Sequence, residues 1–247
     1  MKYRFIDLFA GAGGLSEGFI RAGYEPIAHI EMDHYACDSL KTRAAFHYLK
    51  ENGKLEIYEE YLKNKKEKTD GSWLWNKVPK SVIDSVIQEA IGKETLPSLF
   101  ERVDKLCNGK PVDMIIGGPP CQAYSVAGRA RLGKKIEEDP RNDLYKFYVD
   151  FLKHYKPKMF VFENVLGILT AKGGEPFRDL IRLVRELDYN IEFREQIASQ
   201  HGVLQKRHRV IIVGWQNKRD TQEDTSYHYP YLLEEQMPYK IMRDSFC

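Results

Sequence analysis

The chain has 247 residues, of which 43% are apolar, and its 38 Lys and Arg residues nearly balance its 36 Asp and Glu residues, for a net charge of +2. This length suits one large domain or a domain with an insertion, and the apolar content is enough for a sizeable core. The charge balance excludes a chain that is basic over its whole surface, so any nucleic-acid contact must be local.

Membrane and metal classes are also disfavoured by the sequence. No apolar stretch approaches the roughly 20 residues that a membrane span needs, and Asp7 interrupts the first apolar run, which argues against a signal peptide. None of the four cysteines, Cys37, Cys107, Cys121 and Cys247, pairs with another at C-x-x-C spacing. We therefore expect no structural zinc and predict reduced thiols in an intracellular protein.

Strand and helix patterns alternate along the chain. The predicted elements are a strand at 3–9, a glycine turn at 10–14, a helix from near Leu15, a strand at 26–31, a helix at 32–49, a strand at 111–117, a helix at 142–154, a strand at 158–163, a helix at 176–187 and strands at 190–196 and 209–215. This alternation predicts an α/β fold whose mostly parallel sheet is covered on both faces.

The composition changes between residues 50 and 96. KENGKLEIYEEYLKNKKEKTDG is charged and polar, and KVPKSVIDSVIQEAIGKE is typical of an amphipathic helix with Pro79 near its start. We interpret this segment as a mostly helical surface insertion in a single domain that spans 1–247.

Unusual residues follow several predicted strands. Ligands of doubly wound sheets bind beyond the carboxyl ends of the strands, where this sequence has Gly11–Gly14, Glu31, Cys121 and Glu163. The glycine turn can bring backbone N–H groups close to a ligand, and Glu31, 20 residues after Gly11, can accept hydrogen bonds from ribose hydroxyls. On spacing alone this fits NAD, FAD or S-adenosylmethionine, and the alternative is a structural turn with an exposed Glu.

Cys121 lies in GGPPCQAYS (117–125), where two prolines fix the backbone after a buried strand. One interpretation is a reactive thiolate at the edge of the crevice, and the other is a small residue that fills a gap. The following GRARLGKK (128–135) has four basic residues in eight. It suits a loop that closes over phosphates, or an ordinary solvated run of charge.

Two further groups are candidates for chemistry. Glu163 ends the KMFVFE strand and, if buried among apolar side chains, could be held protonated and act as an acid. The alternatives are a helix cap or a paired core acid. In QKRHR (205–209), Arg207 and Arg209 alternate with Lys206 and His208, so the two arginines share one face of an extended segment. They suit carboxylates, phosphates or a base carbonyl, or form surface ion pairs.

Together, and in this order, these segments resemble the DNA cytosine-5 methyltransferase family. DLFAGAGGLSEGF is similar to the family's cofactor motif, GPPCQAYSVAGR to its nucleophile motif, ENV to its acid motif and QKRHR to its Q-x-R-x-R motif. The resemblance covers residues 3–49 and 111–247. It implies a Rossmann-like doubly wound sheet of the S-adenosylmethionine-dependent methyltransferase type, mostly parallel with an antiparallel edge hairpin.

The resemblance also implies a reaction. Cys121 would attack C6 of a cytosine flipped out of double-stranded DNA, Glu163 would bond N3 and the exocyclic amine, Arg209 would bind O2, and Arg207 would orient Cys121 or a phosphate. The methyl group would come from S-adenosylmethionine, which leaves as S-adenosylhomocysteine. Implied cofactor contacts are Phe9, Ala10, Gly11, Gly13, Gly14, Leu15, Glu31, Met32, Pro119 and Leu144. Implied DNA contacts are Gln122, Ser125, Arg129, Arg131 and Gln205.

Three features depart from the family pattern. The family has an acid near the adenine amine, in the segment between Glu31 and Cys121; the 50–96 insertion blurs its position here, and Glu94 or Asp104 could stand in. Leu204 occupies a place where the family often has proline. The sequence ends at MPYKIMRDSFC, where the family's target-recognition region should begin. We therefore expect a C-terminal half or a second chain that reads the target sequence, and weak cofactor binding by this chain alone.

Other functions remain open at this point. The same chemistry could act on RNA, or the chain could be a non-catalytic DNA-binding or partner module of the same fold. A NAD-dependent oxidoreductase would fit the glycine turn but would leave Cys121, Glu163 and QKRHR unexplained together. The main interpretation places the protein on DNA in the bacterial cytoplasm, in restriction–modification.

Overall fold

A computed structural model of the chain describes residues 2–63, 71–120 and 143–217. These residues form a seven-stranded sheet in the order β3-β2-β1-β4-β5-β7-β6. Its strands are β1 (Arg4–Leu8), β2 (Glu25–Glu31), β3 (Val86–Gln88), β4 (Met114–Gly117), β5 (Met159–Asn164), β6 (Tyr189–Ile197) and β7 (His208–Gln216). Strands β1 to β5 are parallel, and β7 pairs antiparallel with β5 and β6. The predicted α/β fold with its antiparallel edge pair is confirmed.

Helices pack on both faces of the sheet. The described helices are α1 (Gly14–Arg21), α2 (His34–Glu51), α3 (Leu55–Lys63), α4 (Ser72–Trp75), α5 (Lys80–Asp84), α6 (Leu96–Cys107), α7 (Leu144–Tyr155) and α8 (Glu175–Glu186). α1 and α2 lie on one face, and α6, α7 and α8 bury their apolar sides on the other, in the main core. No helix in the described part of the chain is both long and apolar enough to cross a membrane.

The register brings the ends of several strands to one edge. Parallel pairing sets Leu8 opposite Gly117, and Gly117 opposite Phe162. Because β7 runs the other way, its first residues lie at the same edge, where Asn164 is opposite Val210. The crevice at this edge is therefore lined by the segments that follow β1, β2, β4 and β5 and by the start of β7.

The 50–96 segment differs in part from its prediction. The single amphipathic helix expected over KVPKSVIDSVIQEAIGKE is wrong, because α5 ends at Asp84 and Val86–Gln88 forms β3, which pairs with His29–Glu31 of β2. Helices α3 and α4 pack on α2 around a small separate core that includes Ala45, Tyr61 and Leu74. The segment thus supplies an edge strand of the main sheet as well as surface helices.

Candidate active site

The glycine turn after β1 has the backbone that a close ligand contact requires. Phe9, Gly11 and Gly13 have φ values of 55°, 53° and 81°, in the left-handed region that favours glycine. A Cβ placed at Gly11 or Gly14 would meet no heavy atom of the described residues within 4 Å, so the loop backbone borders open space in this part of the structure. Gly13 instead faces helix α2, where a Cβ would lie 2.9 Å from Leu40 Cδ2.

Glu31 ties the end of β2 to this loop. Its Oε2 accepts a hydrogen bond from the N–H of Gly11 at 2.8 Å, and its Oε1 accepts from the N–H groups of Met32 and Asp33 at 2.8 and 2.9 Å. Three backbone donors on one carboxylate fix its position beside the open space at Gly11. A carboxylate oxygen can accept more than one hydrogen bond, so Glu31 can still receive ribose hydroxyls.

The other predicted cofactor residues lie around the same edge. Met32 follows Glu31 and is 68% exposed, which leaves its side chain free to pack on an adenine ring. Ala10 is buried beneath the loop, and Leu15 packs against the apolar cluster of Phe5. Leu144 begins α7, and the carbonyl oxygen of the buried Pro119 is held from β5.

Glu163, Arg207 and Arg209 form one ion-paired cluster at the crevice. Glu163 Oε1 accepts from Arg207 Nη2 at 2.9 Å and lies 2.8 Å from Arg209 Nε. The two arginines share a face, as their alternation predicts. Of the alternatives left open for Glu163, the structure shows the paired acid, because Oε1 lies between two guanidinium groups. His208 points elsewhere, with Nδ1 3.0 Å from Glu195 Oε1.

Gly118 lets the loop after β4 lie directly against Glu163. A Cβ at Gly118 would lie 2.7 Å from Glu163 Oε2 and 3.2 Å from its carbonyl oxygen. The next residue is held by Asn164, whose Nδ2 donates to the carbonyl of Pro119 at 3.1 Å and whose Oδ1 accepts from the N–H of Val165. The segment that leads into Cys121 is therefore fixed on the acid motif.

The sequence places Asn164 in the acid motif but does not indicate a role for its side chain. It also does not indicate that β3 forms and brings polar residues beside Glu31. The N–H of Glu89, just after β3, donates to the carbonyl of Glu31 at 2.9 Å, and Gln88 Oε1 lies 3.5 Å from His34 Nδ1. Glu94 is exposed in the turn before α6, and Asp104 lies on α6 with its carboxylate 3.7 Å from His154. Gln88 and Glu89 are thus the polar residues directly adjacent to Glu31 on the side of β2 that pairs with β3.

Several predicted residues lie outside the described residues. These are Cys121, Gln122, Ser125, Arg129 and Arg131, with the whole 128–135 loop. Gln205 is described and is exposed in the turn before β7. Within 2–63, 71–120 and 143–217, no group of three His, Cys, Asp or Glu side chains could hold a metal ion.

One ionisable group lies buried beneath the glycine loop. Asp7 of β1 is 1% exposed, and neither of its carboxylate oxygens has a hydrogen-bond partner in the described part of the chain. Burial raises the pKa of Asp7 to about 8; the nearby Ser16 hydroxyl, which donates to the carbonyl of Gly13, opposes this rise in part, and the negative charge of Glu31 adds to it. Its neighbour on β2, His29, is also buried, and burial lowers the pKa of this imidazole to about 4.

Comparison with known proteins identifies the family of the chain. The profile of the family described as C-5 cytosine-specific DNA methylase matches residues 3–244. Type II methyltransferase M.Bpa9945I of Bacillus paralicheniformis is 35% identical, over 91% of this chain and 55% of that protein. Type II methyltransferase M.FnuDI of Fusobacterium nucleatum is 33% identical, over 98% of this chain and 54% of that protein.

Solved structures show the same fold. A protein assigned as a DNA modification methyltransferase of an Escherichia coli prophage matches with a TM-score of 0.56 and 27% identity, over 87% of this chain and 47% of that one. The methyltransferase EhMeth of Entamoeba histolytica matches in fold, with a TM-score of 0.54. This chain spans about half the length of the curated relatives it matches. The chain belongs to the C-5 cytosine-specific DNA methylase family.

Proposed function

We propose that this chain is the catalytic part of an enzyme that methylates C5 of cytosine in double-stranded DNA. The observation that carries the proposal is the cluster of Glu163 with Arg207 and Arg209, which lies against Gly118 in the segment that leads to Cys121. Three motifs, up to 91 residues apart in the sequence, thus meet at the crevice that also contains the glycine turn. The family description names DNA, which does not favour the RNA or non-catalytic alternatives.

The residues after β1 and β2 fit S-adenosylmethionine. The open space beside Gly11 admits a ligand against the backbone, Glu31 is fixed where it can accept ribose hydroxyls, and Met32 offers an exposed apolar surface to adenine. Gln88 and Glu89 are next to Glu31 and are our candidates for the adenine amine, in place of Glu94 or Asp104. When bound, the cofactor supplies the methyl group and leaves as S-adenosylhomocysteine.

The ion-paired cluster suits the cytosine ring. Arg207 and Arg209 both occupy Oε1 of Glu163, and no hydrogen bond to a described residue is found on Oε2. Oε2 can therefore accept a hydrogen bond from the exocyclic amine of the cytosine. Arg209 retains guanidinium donors for O2, while Arg207 is more exposed and suits a phosphate. Cys121 would be the nucleophile at C6.

This chain matches about half of each relative, and we also propose that target recognition lies in the other half, either as a C-terminal continuation or as a second chain. Helices α1 and α2 lie over strands β1 to β4, whereas β5 and β7 carry half-exposed apolar side chains at Met159, Val161 and Trp215 on the same face. A sheet of this type is covered on both faces, so this apolar surface suits the missing part.

The cellular setting follows from the relatives. Several bacterial relatives are named type II methyltransferases, which supports a role in restriction–modification on DNA in the bacterial cytoplasm. Within the catalytic domain, which we propose spans 1–247, the separate small core around Tyr61 and Leu74 supports the interpretation of about 50–96 as an insertion.

Covalent trapping tests the proposed chemistry. The chain is mixed with S-adenosylmethionine and mixed-sequence duplexes that contain 5-fluorocytosine, because fluorine blocks the final elimination and leaves Cys121 attached to the base. Intact mass is measured with and without the polypeptide that supplies the remaining half, with Cys121→Ser as control. We expect an adduct when the remaining half is present. Two outcomes would contradict the proposal. One is an adduct on a matched RNA but none on DNA in either mixture, and the other is no adduct on either nucleic acid.

A further inference from the structure

We infer that Glu17, Arg43 and His47 form a polar clamp that positions the glycine turn for cofactor binding. None of the three lies on the turn itself, so they are positioning residues and not contacts of the ligand. The inference rests on the proposed function, since it assigns the Gly11–Gly14 turn to S-adenosylmethionine.

The clamp joins the first turn of α1 to the middle of α2. Glu17 follows the glycine turn by three residues, and its Oε2 accepts from Arg43 Nη1 at 3.0 Å and pairs with His47 Nε2 at 2.9 Å. The side chains of Glu17 and His47 are 29% and 17% exposed, so water competes with this contact less than it does with a fully exposed one. Burial raises the pKa of Glu17, but His47 and Arg43 outweigh it and hold this pKa below its ordinary value.

Arg43 contacts the turn directly with its aliphatic stem. A Cβ at Gly13 would lie 3.3 Å from Arg43 Cδ and 3.3 Å from Ser16 Oγ, and the hydroxyl of Ser16 donates to the carbonyl of Gly13. One side chain of α2 thus packs on the turn and binds Glu17 just beyond it. The left-handed backbone of Gly13 is held from both sides.

The space below the clamp shows why a polar link is needed there. A cavity of about 400 Å³ lies between α1, α2 and β2, and its lining includes Glu17, Arg43, His47 and the buried His29. Over this stretch the two helices are separated by a cavity instead of packed side chains, so the clamp spans the gap. Apolar side chains of α1, Leu15, Phe19 and Ile20, anchor this helix on the sheet, and the clamp adds a direct polar link from α1 to α2.

Loss of this link would act on the cofactor site. The turn is bonded to Glu31 through the N–H of Gly11, and Asp33 caps α2 by accepting from the N–H of Ala36 at 2.8 Å. The beginnings of α1 and α2 therefore frame the two sides of the site. Loosening the clamp is expected to weaken cofactor binding while the site chemistry at Glu163 stays intact.

The test is a double-mutant cycle on cofactor affinity. Glu17→Gln removes the charge, and Arg43→Met keeps an apolar stem on Gly13 but removes the guanidinium. Binding of S-adenosylhomocysteine is measured by calorimetry well below the melting temperature, with Glu101→Gln as a matched control, because Glu101 forms an exposed ion pair with Lys105 on α6. We expect each clamp variant to bind about three- to tenfold more weakly and the double variant to lose little more.

Hydrogen exchange of the 9–19 segment provides a readout that needs no ligand. We expect faster exchange at Gly11–Gly14 in Glu17→Gln than in Glu101→Gln. An unmodified chain that binds no S-adenosylhomocysteine even with the polypeptide of the remaining half present would contradict the proposed cofactor site, and the exchange rates of the 9–19 segment would still test the clamp. If the unmodified chain binds and the clamp variants bind with the same affinity, the clamp would be overturned while the cofactor site stands. Unchanged hydrogen exchange at the turn in Glu17→Gln would have the same meaning.

Discussion

The side chain of Asn164 donates a hydrogen bond to the carbonyl of Pro119 across 3.1 Å, and both residues are buried. The bond joins the end of β5, which carries Glu163, to the loop that leads into Cys121. The two residues are 45 positions apart, so the contact exists only because β4 and β5 pair in parallel. The acid and nucleophile motifs are therefore held as one unit.

Changing Asn164 to Asp should uncouple these motifs. The carboxylate cannot donate to the Pro119 carbonyl and repels it, so we expect a loss of about 1–3 kcal/mol of stability and a larger fall in adduct formation. Asn52→Asp is the matched control, because Asn52 Nδ2 donates to the carbonyl of Tyr48 at an exposed helix end. Urea unfolding and 5-fluorocytosine trapping measure the two effects. Equal trapping by the two variants would show that the Asn164 bond has no role in the site.

The two arginines on Glu163 should differ in importance. Arg209 is the less exposed, at 25% against 48% for Arg207, and its Nη1 also donates to the carbonyl of His208. A lysine cannot make these directed contacts together, so Arg209→Lys should lower the trapping rate by about tenfold or more. Arg207→Lys should lower it less.

Arg182→Lys serves as the control for both arginine variants, since Arg182 pairs with Asp179 and Glu186 on the exposed side of α8. It should leave the trapping rate unchanged. A greater loss from Arg207→Lys than from Arg209→Lys would contradict the assignment of Arg209 to the base and Arg207 to a peripheral contact.

A side chain at Gly118 should displace Glu163 without unfolding the chain. The Cβ of Gly118→Ala would lie 2.7 Å from Oε2, the free end of a side chain that can rotate away. The same Cβ would lie 3.2 Å from the backbone carbonyl oxygen of Glu163, so we expect a loss of about 1–3 kcal/mol of stability and a strong loss of trapping. The double variant Gly118→Ala with Glu163→Asp should not regain trapping, because the shorter aspartate side chain cannot reach the cytosine ring.

Gly92→Ala is the matched control for this change, because a Cβ there meets its nearest atom, Thr95 Oγ1, at 3.9 Å. Gly92→Ala should unfold at nearly the denaturant concentration of the unmodified chain, and Gly118→Ala at a lower one, with both variants folded under the trapping conditions. Full trapping by Gly118→Ala would mean that the carboxylate position seen beside Gly118 is not the working one.

Much of the fold follows from the sequence because its strands are strongly marked. The apolar runs of β1, β4 and β5 and the alternation of helices and strands identify the sheet, and the antiparallel edge pair is implied by the family resemblance and confirmed in the structure. Strand β3 was missed because Val86–Gln88 is three residues long and sits in a helix-like pattern. Its pairing with β2, a tertiary contact, decides its conformation.

The site was predictable in its residue types but not in its contacts. QKRHR indicates two arginines on one face, yet nothing in the sequence states that both reach the same oxygen of Glu163. That convergence depends on the antiparallel register of β5 and β7. The roles of Asn164 and Gly118 are likewise properties of the β4–β5 pairing, and the position of Cys121 stays a prediction.

The buried Asp7 makes stability depend on pH in a direction that can be derived. Its folded pKa of about 8 lies above the ordinary value of 3.8, so between these values the folded state binds the proton that the unfolded state has lost. The free energy of unfolding therefore falls as pH rises, by up to about 1.4 kcal/mol per pH unit for one proton. Below about pH 6.5, the lowered pKa of His29 acts in the opposite direction, so the contribution of Asp7 is clearest between pH 6.5 and 8.

Asp7→Asn should remove this dependence, because asparagine has nearly the same shape and does not titrate. Urea unfolding of both proteins from pH 5 to 8.5 should show the variant gaining stability relative to the unmodified chain as pH rises, with the difference levelling off above pH 8. The difference between the two proteins cancels the titration of all other groups that the substitution leaves unchanged. A difference that is constant with pH would mean that Asp7 is ionised in the folded chain, and that the negative charge beneath the glycine turn is balanced by a partner.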